Sequence, residues 1–350
     1  MSPTCNAAII FKETLETGYP EPGRTTVYDT SRTIDLENVS LDGGVLVKLL
    51  YLSNDPYLRT RMGPPESGKW ANPVFSVGEP IANFGVGRIL RSENSDYTPG
   101  YHVSGYFNFE EYIVLTAATI PHSMFQKIDN KAGIPWSAYL GAAGMPGQTA
   151  YYGYKEYLRV KKGQTIWIST GAGAVGSVLI QLAKRDGLRV IASAGSDEKV
   201  SFMKEIGADV AFNYKTTNTG NLLAKEGPID IYWDCVGQAS LDYALENINK
   251  YGQIIIAGSI SGYNSGHTYA YKNIYNIDKR TLRVHGFGIM DPELAEHWSE
   301  SFFREIPSLI ASGELKYREE RTPFAQAGEA FLRIQKGENF GKSVLVVADE

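Results

Sequence analysis

The residues with the clearest chemical meaning form a glycine-rich turn near the middle of the chain. Gly171, Gly173 and Gly176 follow the short apolar run Ile166–Ile168, and a helical pattern of apolar residues starts directly after them. Glycines at this spacing let the backbone turn tightly, approach a pyrophosphate closely and pack the helix against the strand. Unpaired amide N–H groups at the helix start can then bind the phosphates. The sequence therefore predicts a dinucleotide cofactor at this turn.

The end of the next predicted strand, Arg189–Ala194, indicates which dinucleotide is bound. An NAD enzyme usually has Asp or Glu there to hold the ribose 2′-OH, whereas this chain continues with Gly195 and Ser196. Ser196 can cap the helix that follows, and Lys199 can reach a 2′-phosphate as a point charge. A lysine at a helix start is also explained as a solvated surface residue. Because the strand-end acid is missing, the sequence favours NADPH.

The composition excludes several classes of function. The chain has 350 residues, a formal net charge of −5, two cysteines and five histidines. An acidic balance argues against nucleic acid or an anionic membrane as partner. The cysteines and histidines show neither a disulfide framework nor the spacing of a zinc site, so no metal is expected. No stretch is long and apolar enough for a membrane span, and no secretory start is seen, so we expect a cytoplasmic protein with a small-molecule partner.

The order of predicted elements divides the chain into two domains and a returning tail. Residues 1–131 show short apolar runs punctuated by Gly, Pro and Asn, which is typical of a β-rich domain. In residues 132–305 strands and helices alternate, which predicts a doubly wound parallel sheet. Residues 306–350 are expected to return to the first domain. The strands predicted in the second domain are Ile166–Ile168, Arg189–Ala194, Asp209–Asn213, Ile229–Cys235, Gln253–Ala257 and Thr281–Gly286.

Motifs along nearly the whole chain resemble one family. They are Tyr51–Arg59, Gly144–Tyr151, Gly171–Gly176, Ala194–Lys199, Phe212–Lys215, Gly258–Asn264 and Gly337–Lys342. In this order they are similar to the zinc-free branch of the medium-chain dehydrogenase/reductase superfamily, with its prostaglandin reductases and alkenal double-bond reductases. The resemblance implies an α/β fold with a GroES-like β-rich N-terminal domain and a Rossmann domain. It also implies NADPH-dependent reduction of the carbon–carbon double bond in α,β-unsaturated aldehydes or ketones, and a homodimer paired along Thr281–Gly286.

The resemblance also assigns roles to single residues. Tyr263 matches the tyrosine usually given a catalytic role, and Tyr57 joins it as a catalytic candidate. The substrate pocket is expected to contain Tyr57, Phe84, Met145 and Tyr263, although Met145 is equally explained as the start of a helix. The implied cofactor contacts are Pro56, Gly171, Gly173, Ala174, Val175, Gly176, Gly195, Ser196, Lys199, Tyr214, Cys235, Ala257, Ser259, Ile260, Tyr263, Phe287, Gly288, Ile289 and Asn339.

The chemistry of enone reduction explains why a tyrosine suits the site. Hydride delivery to the β-carbon places negative charge on the carbonyl oxygen, so a hydrogen-bond donor must face that oxygen. A tyrosine O–H is neutral at pH 7 and can both donate and relay a proton. Tyr263 follows the predicted strand Gln253–Ala257, and ligands meet the carboxyl ends of strands in open α/β sheets. Packing in a turn also explains Tyr263, and packing under the β-rich domain also explains Tyr57.

Two departures from the family pattern concern the substrate and the cofactor. Phe84 stands where relatives often carry a second tyrosine, and Cys235 stands where relatives carry asparagine. Cys235 lacks a neighbouring histidine in sequence, which argues against a nucleophilic thiol. Two alternatives to enone reduction stay open: quinone reduction on the same scaffold, and an NADPH-loaded binding or crystallin-like protein.

Overall fold

The computed structural model describes residues 3–65, 73–266 and 268–349. Its strands in chain order are β1 Thr4–Cys5, β2 Ala8–Phe11, β3 Thr26–Asp29, β4 Thr33–Ile34, β5 Val45–Asn54, β6 Ala82–Ser92, β7 His102–Asn108, β8 Tyr112–Leu115, β9 Gln126–Lys127, β10 Thr165–Ile168, β11 Arg189–Ala194, β12 Val210–Asn213, β13 Ile229–Asp234, β14 Ile248–Ile256, β15 Arg283–Gly286, β16 Glu319–Pro323 and β17 Lys342–Val346. Its α-helices are α1 Met145–Tyr157, α2 Ala174–Arg185, α3 Asp197–Glu205, α4 Thr219–Glu226, α5 Gln238–Asn247, α6 Ile260–Tyr263, α7 Asn276–Lys279, α8 Pro292–Ala311 and α9 Ala327–Gln335. Short 3-10 helices cover Pro56–Met62, Ile120–His122, Trp136–Leu140 and Phe324–Gln326.

Residues up to Leu140 and from Glu319 onward form one compact unit, here called the β-rich unit. Its main sheet has the order β16-β17-β5-β6-β7-β9, with β8 beside β5. Strand β5 lies in the interior of this sheet, and nearly all of its side chains are buried. It pairs antiparallel with β6, β8 and the C-terminal strand β17. The tail of the chain is therefore part of the same sheet as the N-terminal strands.

Residues Gly141–Arg318 form the second compact unit, here called the Rossmann unit. Its strands are parallel in the order β12-β11-β10-β13-β14-β15. The strand order reverses between β10 and β13, which creates a topological switch point at their carboxyl ends. In its core the rings of Trp167 and Tyr232 stack with centroids 4.5 Å apart. The predicted combination of a β-rich domain and a doubly wound parallel sheet is confirmed.

The packing of helix α2 follows from the spacing of its apolar residues. Its apolar residues recur at helical spacing, and Val178, Leu179 and Leu182 are buried on one side. Each such side chain contributes about 1.5–3 kcal/mol when fully buried. The helix ends at Arg185, and Gly187 follows with a φ of 75°, the left-handed conformation that commonly terminates helices.

The units divide later in the chain than the predicted boundaries at 131/132 and 305/306. Trp136–Leu140 packs against β5 and β6, so this segment stays with the β-rich unit. Helix α8 runs unbroken through position 306, and Ile306 is fully buried, so no boundary falls there. In the described part of the chain, no helix combines the length and apolar character that a bilayer crossing needs.

Candidate active site

The glycine turn between β10 and α2 is shaped by close backbone contacts. A Cβ on Gly176 would lie 2.4 Å from the carbonyl oxygen of Thr170 and 2.7 Å from the Cα of Gly171. A Cβ on Gly171 would lie 2.6 Å from the Sδ of Met203. Thr170 itself has a φ of 53°, a left-handed conformation that is costly for a β-branched residue. The turn is therefore so tight that positions 171 and 176 require glycine.

The first turn of α2 offers amide groups to an anion. Gly173 occupies the N-cap position and supplies no capping side chain, whereas α3 and α8 are capped by Ser196 and Asp291. Uncapped N–H groups and the positive end of the helix dipole together favour a bound phosphate. The predicted contacts Gly171, Gly173, Ala174, Val175 and Gly176 all lie in this turn. The turn and the helix start thus fit the pyrophosphate of a dinucleotide.

The carboxyl end of β11 gathers polar donors around a glycine. A Cβ on Gly195 would lie 2.9 Å from the hydroxyl of Tyr214 and 3.2 Å from the Cε of Lys215. Ser196 accepts a hydrogen bond at Oγ from the amide of Lys199, at 3.4 Å. A phenol, a hydroxyl and two lysines near one strand end form a donor set that suits a phosphate monoester. Lys215 was not anticipated from sequence, although its position directly after Tyr214 could have indicated it.

Asp197 follows Ser196 directly and has a hydrogen-bond partner within the protein. The Oδ1 of Asp197 accepts a hydrogen bond from the Nδ2 of Asn213, at 2.9 Å. Asp197 also lies in the first turn of α3, where a negative charge favours the helix dipole. Its carboxylate therefore has a structural partner of its own.

The carboxyl end of β13 is held by a buried aspartate. The Oδ1 of Asp234 accepts hydrogen bonds from the hydroxyl of Tyr232 at 2.8 Å and from the amides of Val236 at 2.9 Å and Gly237 at 2.8 Å. Burial raises the pKa of Asp234 above its usual range. Burial also raises the pKa of the Cys235 thiol to about 12. Cys235 is therefore protonated at neutral pH, which argues against a nucleophile there.

Tyr263 lies at the end of α6, in the loop that follows β14. Backbone bonds hold this loop against β13: the amide of Ala257 donates to the carbonyl oxygen of Asp234 at 2.9 Å, and that of Ile260 donates to the carbonyl oxygen of Cys235 at 3.2 Å. The hydroxyl oxygen of Tyr263 accepts a hydrogen bond from the amide of Ser259, at 3.2 Å.

The proton of the Tyr263 hydroxyl has no acceptor among the described residues. A Cβ on Gly258 would lie 3.4 Å from the hydroxyl oxygen, at ordinary van der Waals contact. Burial raises the pKa of the phenol, and Cys235 and Asp234 add to this shift. Tyr263 is thus a neutral hydroxyl whose O–H group is available to donate.

The predicted contacts after β15 divide into packing and exposed positions. The ring of Phe287 packs in an aromatic group, with its centroid 5.4 Å from that of Tyr157 and 6.1 Å from that of Trp233. Its side chain therefore makes aromatic contacts inside the Rossmann unit. Gly288 is exposed and Ile289 is half-buried. Met145 opens α1, and its carbonyl oxygen accepts a hydrogen bond from Thr149 at 2.9 Å.

Within the Rossmann unit, the predicted contacts converge. The glycine turn and the segments around Gly195, Cys235, Ala257–Tyr263 and Phe287–Ile289 all follow the carboxyl ends of parallel strands. Parallel strands bring these ends to one edge of the sheet, where open α/β folds bind their ligands.

In the β-rich unit, Tyr57 is held by an asparagine. It lies on the 3-10 helix Pro56–Met62, directly after β5, and its hydroxyl donates to the Oδ1 of Asn83 at 2.5 Å. Burial, and secondarily the charge of Asp55, raise the pKa of Tyr57 well above its usual value. The carbonyl oxygen of Pro56 accepts a hydrogen bond from Gln335 at 2.8 Å.

Behind Tyr57 lies a buried ion pair that sequence reasoning missed. Asp55 Oδ1 lies 2.6 Å from the Nζ of Lys342, and their side chains are only 7% and 3% exposed. Lys342 also donates to the carbonyl oxygen of Asn54, at 3.0 Å. Burial lowers the pKa of Lys342, and the charge of Asp55 opposes this shift. The pair joins β17 to the start of the Tyr57 helix.

Phe84 has a phenol as its neighbour. It pairs across β6 and β7 with Tyr106, and the two rings meet edge to face with centroids 5.6 Å apart at an interplanar angle of 88°. The Tyr106 hydroxyl contacts the Nη1 of Arg61 and donates to the carbonyl oxygen of Ala82 at 2.8 Å. A phenol is therefore present beside position 84, on the neighbouring strand. Asn339, in the tail, donates from Nδ2 to the carbonyl oxygen of Gly341 at 3.0 Å.

Two family models match parts of this chain. A family model described as zinc-binding dehydrogenase matches residues 174–305, and one described as the N-terminal domain of oxidoreductase matches residues 30–122. Within residues 3–65, 73–266 and 268–349, no cluster of three His, Cys, Asp or Glu side chains could hold a metal ion. The match to the first model is therefore accompanied by no zinc cluster in these ranges.

Individual relatives match over the whole length. A zinc-type alcohol dehydrogenase-like protein of Schizosaccharomyces pombe is 38% identical, covering 99% of both chains. The NADP(+)-dependent 2-alkenal reductase of Nicotiana tabacum is 36% identical, covering 99% of this chain and 98% of its own. Among solved structures, CurA of Vibrio vulnificus in complex with NADPH superposes with a TM-score of 0.87 at 27% identity, covering 98% of this chain and 100% of the other.

Proposed function

This chain belongs to the zinc-independent branch of the medium-chain dehydrogenase/reductase superfamily, and on that premise we propose that it reduces the carbon–carbon double bond of α,β-unsaturated aldehydes and ketones. It is an oxidoreductase that uses NADPH. The observation that carries the proposal is the available O–H of Tyr263 at the carboxyl end of β14. The length-wide similarity to a 2-alkenal reductase supports the choice of substrate class.

The Rossmann unit supplies the contacts that would hold NADPH. The uncapped start of α2 would bind the pyrophosphate, and the donors around Gly195 would bind the 2′-phosphate. The remaining contacts within this unit would come from the loops after β13, β14 and β15. Asn339, in the tail, stays a predicted cofactor contact. When bound, NADPH supplies a hydride for the β-carbon of the substrate.

Tyr263 would act on the opposite end of the conjugated system. Its neutral O–H would donate a hydrogen bond to the substrate carbonyl oxygen and stabilise the negative charge that develops there. The amide of Ser259 fixes the phenol oxygen, so the donor is already oriented before the substrate binds. The same hydroxyl can pass its proton to the enolate. Tyr57, Phe84 and Met145 stay predicted substrate contacts.

A substrate panel with product analysis tests the proposal. The purified protein is incubated with NADPH and with 2-alkenals, conjugated ketones or quinones, and cofactor oxidation and products are measured. We expect saturated aldehydes and ketones. Allylic alcohols as products would contradict the proposal, and faster turnover of quinones would favour the quinone alternative. NADPH binding without turnover of any substrate would favour a binding or crystallin-like protein.

A substitution at Tyr263 tests its role in the reaction. Tyr263→Phe should lower kcat about 100-fold, as expected for the loss of one donor to a developing oxyanion, with NADPH affinity changed less than about twofold. Tyr101→Phe removes the hydroxyl of an exposed tyrosine in the β-rich unit and serves as the matched control. An unchanged kcat for Tyr263→Phe would remove this residue from the mechanism.

A homodimer and a cytoplasmic location stay predictions. Strand β15 is at the edge of the Rossmann sheet and pairs only with β14 among the described residues. Val284 on this strand and Tyr275, at the N-cap of α7, are exposed apolar side chains. Pairing of two β15 edges would satisfy the free backbone groups and cover these side chains. Light scattering on the purified protein tests it: twice the chain mass is expected, and the mass of one chain would contradict it.

A further inference from the structure

The amide of Asn83 is fully buried, and every polar group in it has a partner. Its Nδ2 donates to the carbonyl oxygen of Ser53 at 2.8 Å and to the Oδ2 of Asp55 at 3.0 Å. Its Oδ1 accepts the hydroxyl proton of Tyr57.

These partners determine the orientation of the amide. Ser53 presents a carbonyl oxygen, and Asp55 presents a carboxylate, so both can only accept. A flipped amide would place its own oxygen against these two acceptors, which is electrostatically unfavourable. The Oδ1 of Asn83 must therefore face Tyr57, and the Tyr57 proton must point at it.

The carboxylate of Asp55 is fixed in turn. Its Oδ1 pairs with Lys342, and its Oδ2 accepts from the hydroxyl of Ser53 as well as from Asn83. The Asp55 carboxylate thus has a buried cation and two neutral donors as its partners. A negative charge near Tyr57 opposes loss of the phenol proton. The two tyrosines thus differ in the direction of their hydrogen bonds. The Tyr57 hydroxyl donates to Asn83, whereas the Tyr263 hydroxyl accepts from the amide of Ser259 and keeps its own O–H available to donate.

We propose that Asn83 is a positioning residue that holds the Tyr57 hydroxyl as a donor to the protein, so that Tyr57 orients substrate without giving its proton to it. The catalytic part of this inference rests on the proposed function, whereas the placement of Tyr57 does not. Without Asn83, the hydroxyl of the half-buried Tyr57 loses its acceptor and the ring loses its fixed position. In the variant Tyr57→Phe the hydroxyl is absent, so the ring position no longer depends on Asn83.

A double-mutant cycle on the unfolding equilibrium tests the placement. Asn83→Ala, Tyr57→Phe and the double variant are unfolded with urea. Asn83→Ala should raise the unfolding constant about tenfold more with Tyr57 present than in the Tyr57→Phe background, because only with Tyr57 present does a hydroxyl lose its acceptor. Asn54→Ala is the matched control: Asn54 is equally buried, bonds to Ser343 instead, and should show no coupling to position 57. Additive effects of Asn83→Ala and Tyr57→Phe would overturn the proposal.

Enone kinetics on the same variants test the assignment of roles. Asn83→Ala should lower kcat/KM about tenfold with Tyr57 present and less than about twofold in the Tyr57→Phe background. Tyr57→Phe should mainly raise KM, whereas Tyr263→Phe should mainly lower kcat. A loss of kcat in Tyr57→Phe as large as in Tyr263→Phe would overturn the inference. A wild-type protein without enone turnover would refute the proposed function, and the unfolding cycle would still decide the placement of Tyr57.

Discussion

Two Lys–Asp pairs with nearly equal N···O distances allow a direct test of how burial determines the contribution of a charge pair to stability. Lys342 and Asp55 are 2.6 Å apart with side chains 3% and 7% exposed. Lys131 and Asp129 are 2.5 Å apart with side chains 88% and 67% exposed. We consider the replacement of each lysine by methionine, which keeps the length of the side chain and removes the charge.

The structure indicates a large effect for Lys342→Met alone. The change leaves Asp55 buried, with Ser53 and Asn83 still bonded to Oδ2 and no partner from Lys342 on Oδ1. Breaking a buried pair by removing one partner costs about 3–5 kcal/mol. Since domains are stable by only about 5–15 kcal/mol, this is a considerable part of the total. An exposed pair contributes little, so Lys131→Met should leave stability unchanged.

Urea unfolding followed by circular dichroism measures both variants against the wild-type protein. Lys342→Met should shift the midpoint far below that of Lys131→Met. Adding Asp55→Asn to Lys342→Met should recover part of the loss, because it removes the uncompensated charge. Equal midpoints for the two lysine variants, or a loss below about 1 kcal/mol for Lys342→Met, would refute the reasoning.

Three further predictions concern the Rossmann unit. Gly176→Ala should destabilise the protein by about 1–3 kcal/mol because its Cβ meets the backbone of Thr170, whereas Gly288→Ala, with open space around it, should not; equal melting temperatures would contradict this. Lys199→Ala should weaken NADPH binding about tenfold and leave NADH binding unchanged in fluorescence titrations, because it removes a charge from the 2′-phosphate; equal weakening of both would argue against that contact. Since burial raises the pKa of Tyr263 above its usual value of about 10, its protonated form should persist and kcat should stay flat from about pH 6 to pH 9; a tyrosine-dependent loss of kcat within that range would contradict the assignment.

The parts of the fold that depend on residues close together in sequence were predictable. The predicted cap of α3 by Ser196 is confirmed, because its Oγ accepts a hydrogen bond from the amide of Lys199. Strand β11 has the predicted bounds Arg189–Ala194. These features depend on propensity, capping and periodicity, which act over a few residues.

The partners of Tyr57 were not predictable in the same way. Asn83 is 26 positions from Tyr57, and Lys342 is 287 positions from Asp55. Their contact depends on the pairing of β5 with β6 and β17, which no local pattern specifies.

The fate of the transferred hydrogen tests the central claim most directly. NADPH carrying deuterium at the reactive carbon of its nicotinamide is incubated with the protein and a conjugated aldehyde, and the position of the label in the product is determined by NMR. The proposed function predicts one deuterium on the former β-carbon of a saturated aldehyde. Deuterium on a carbinol carbon, with the double bond intact, would contradict it.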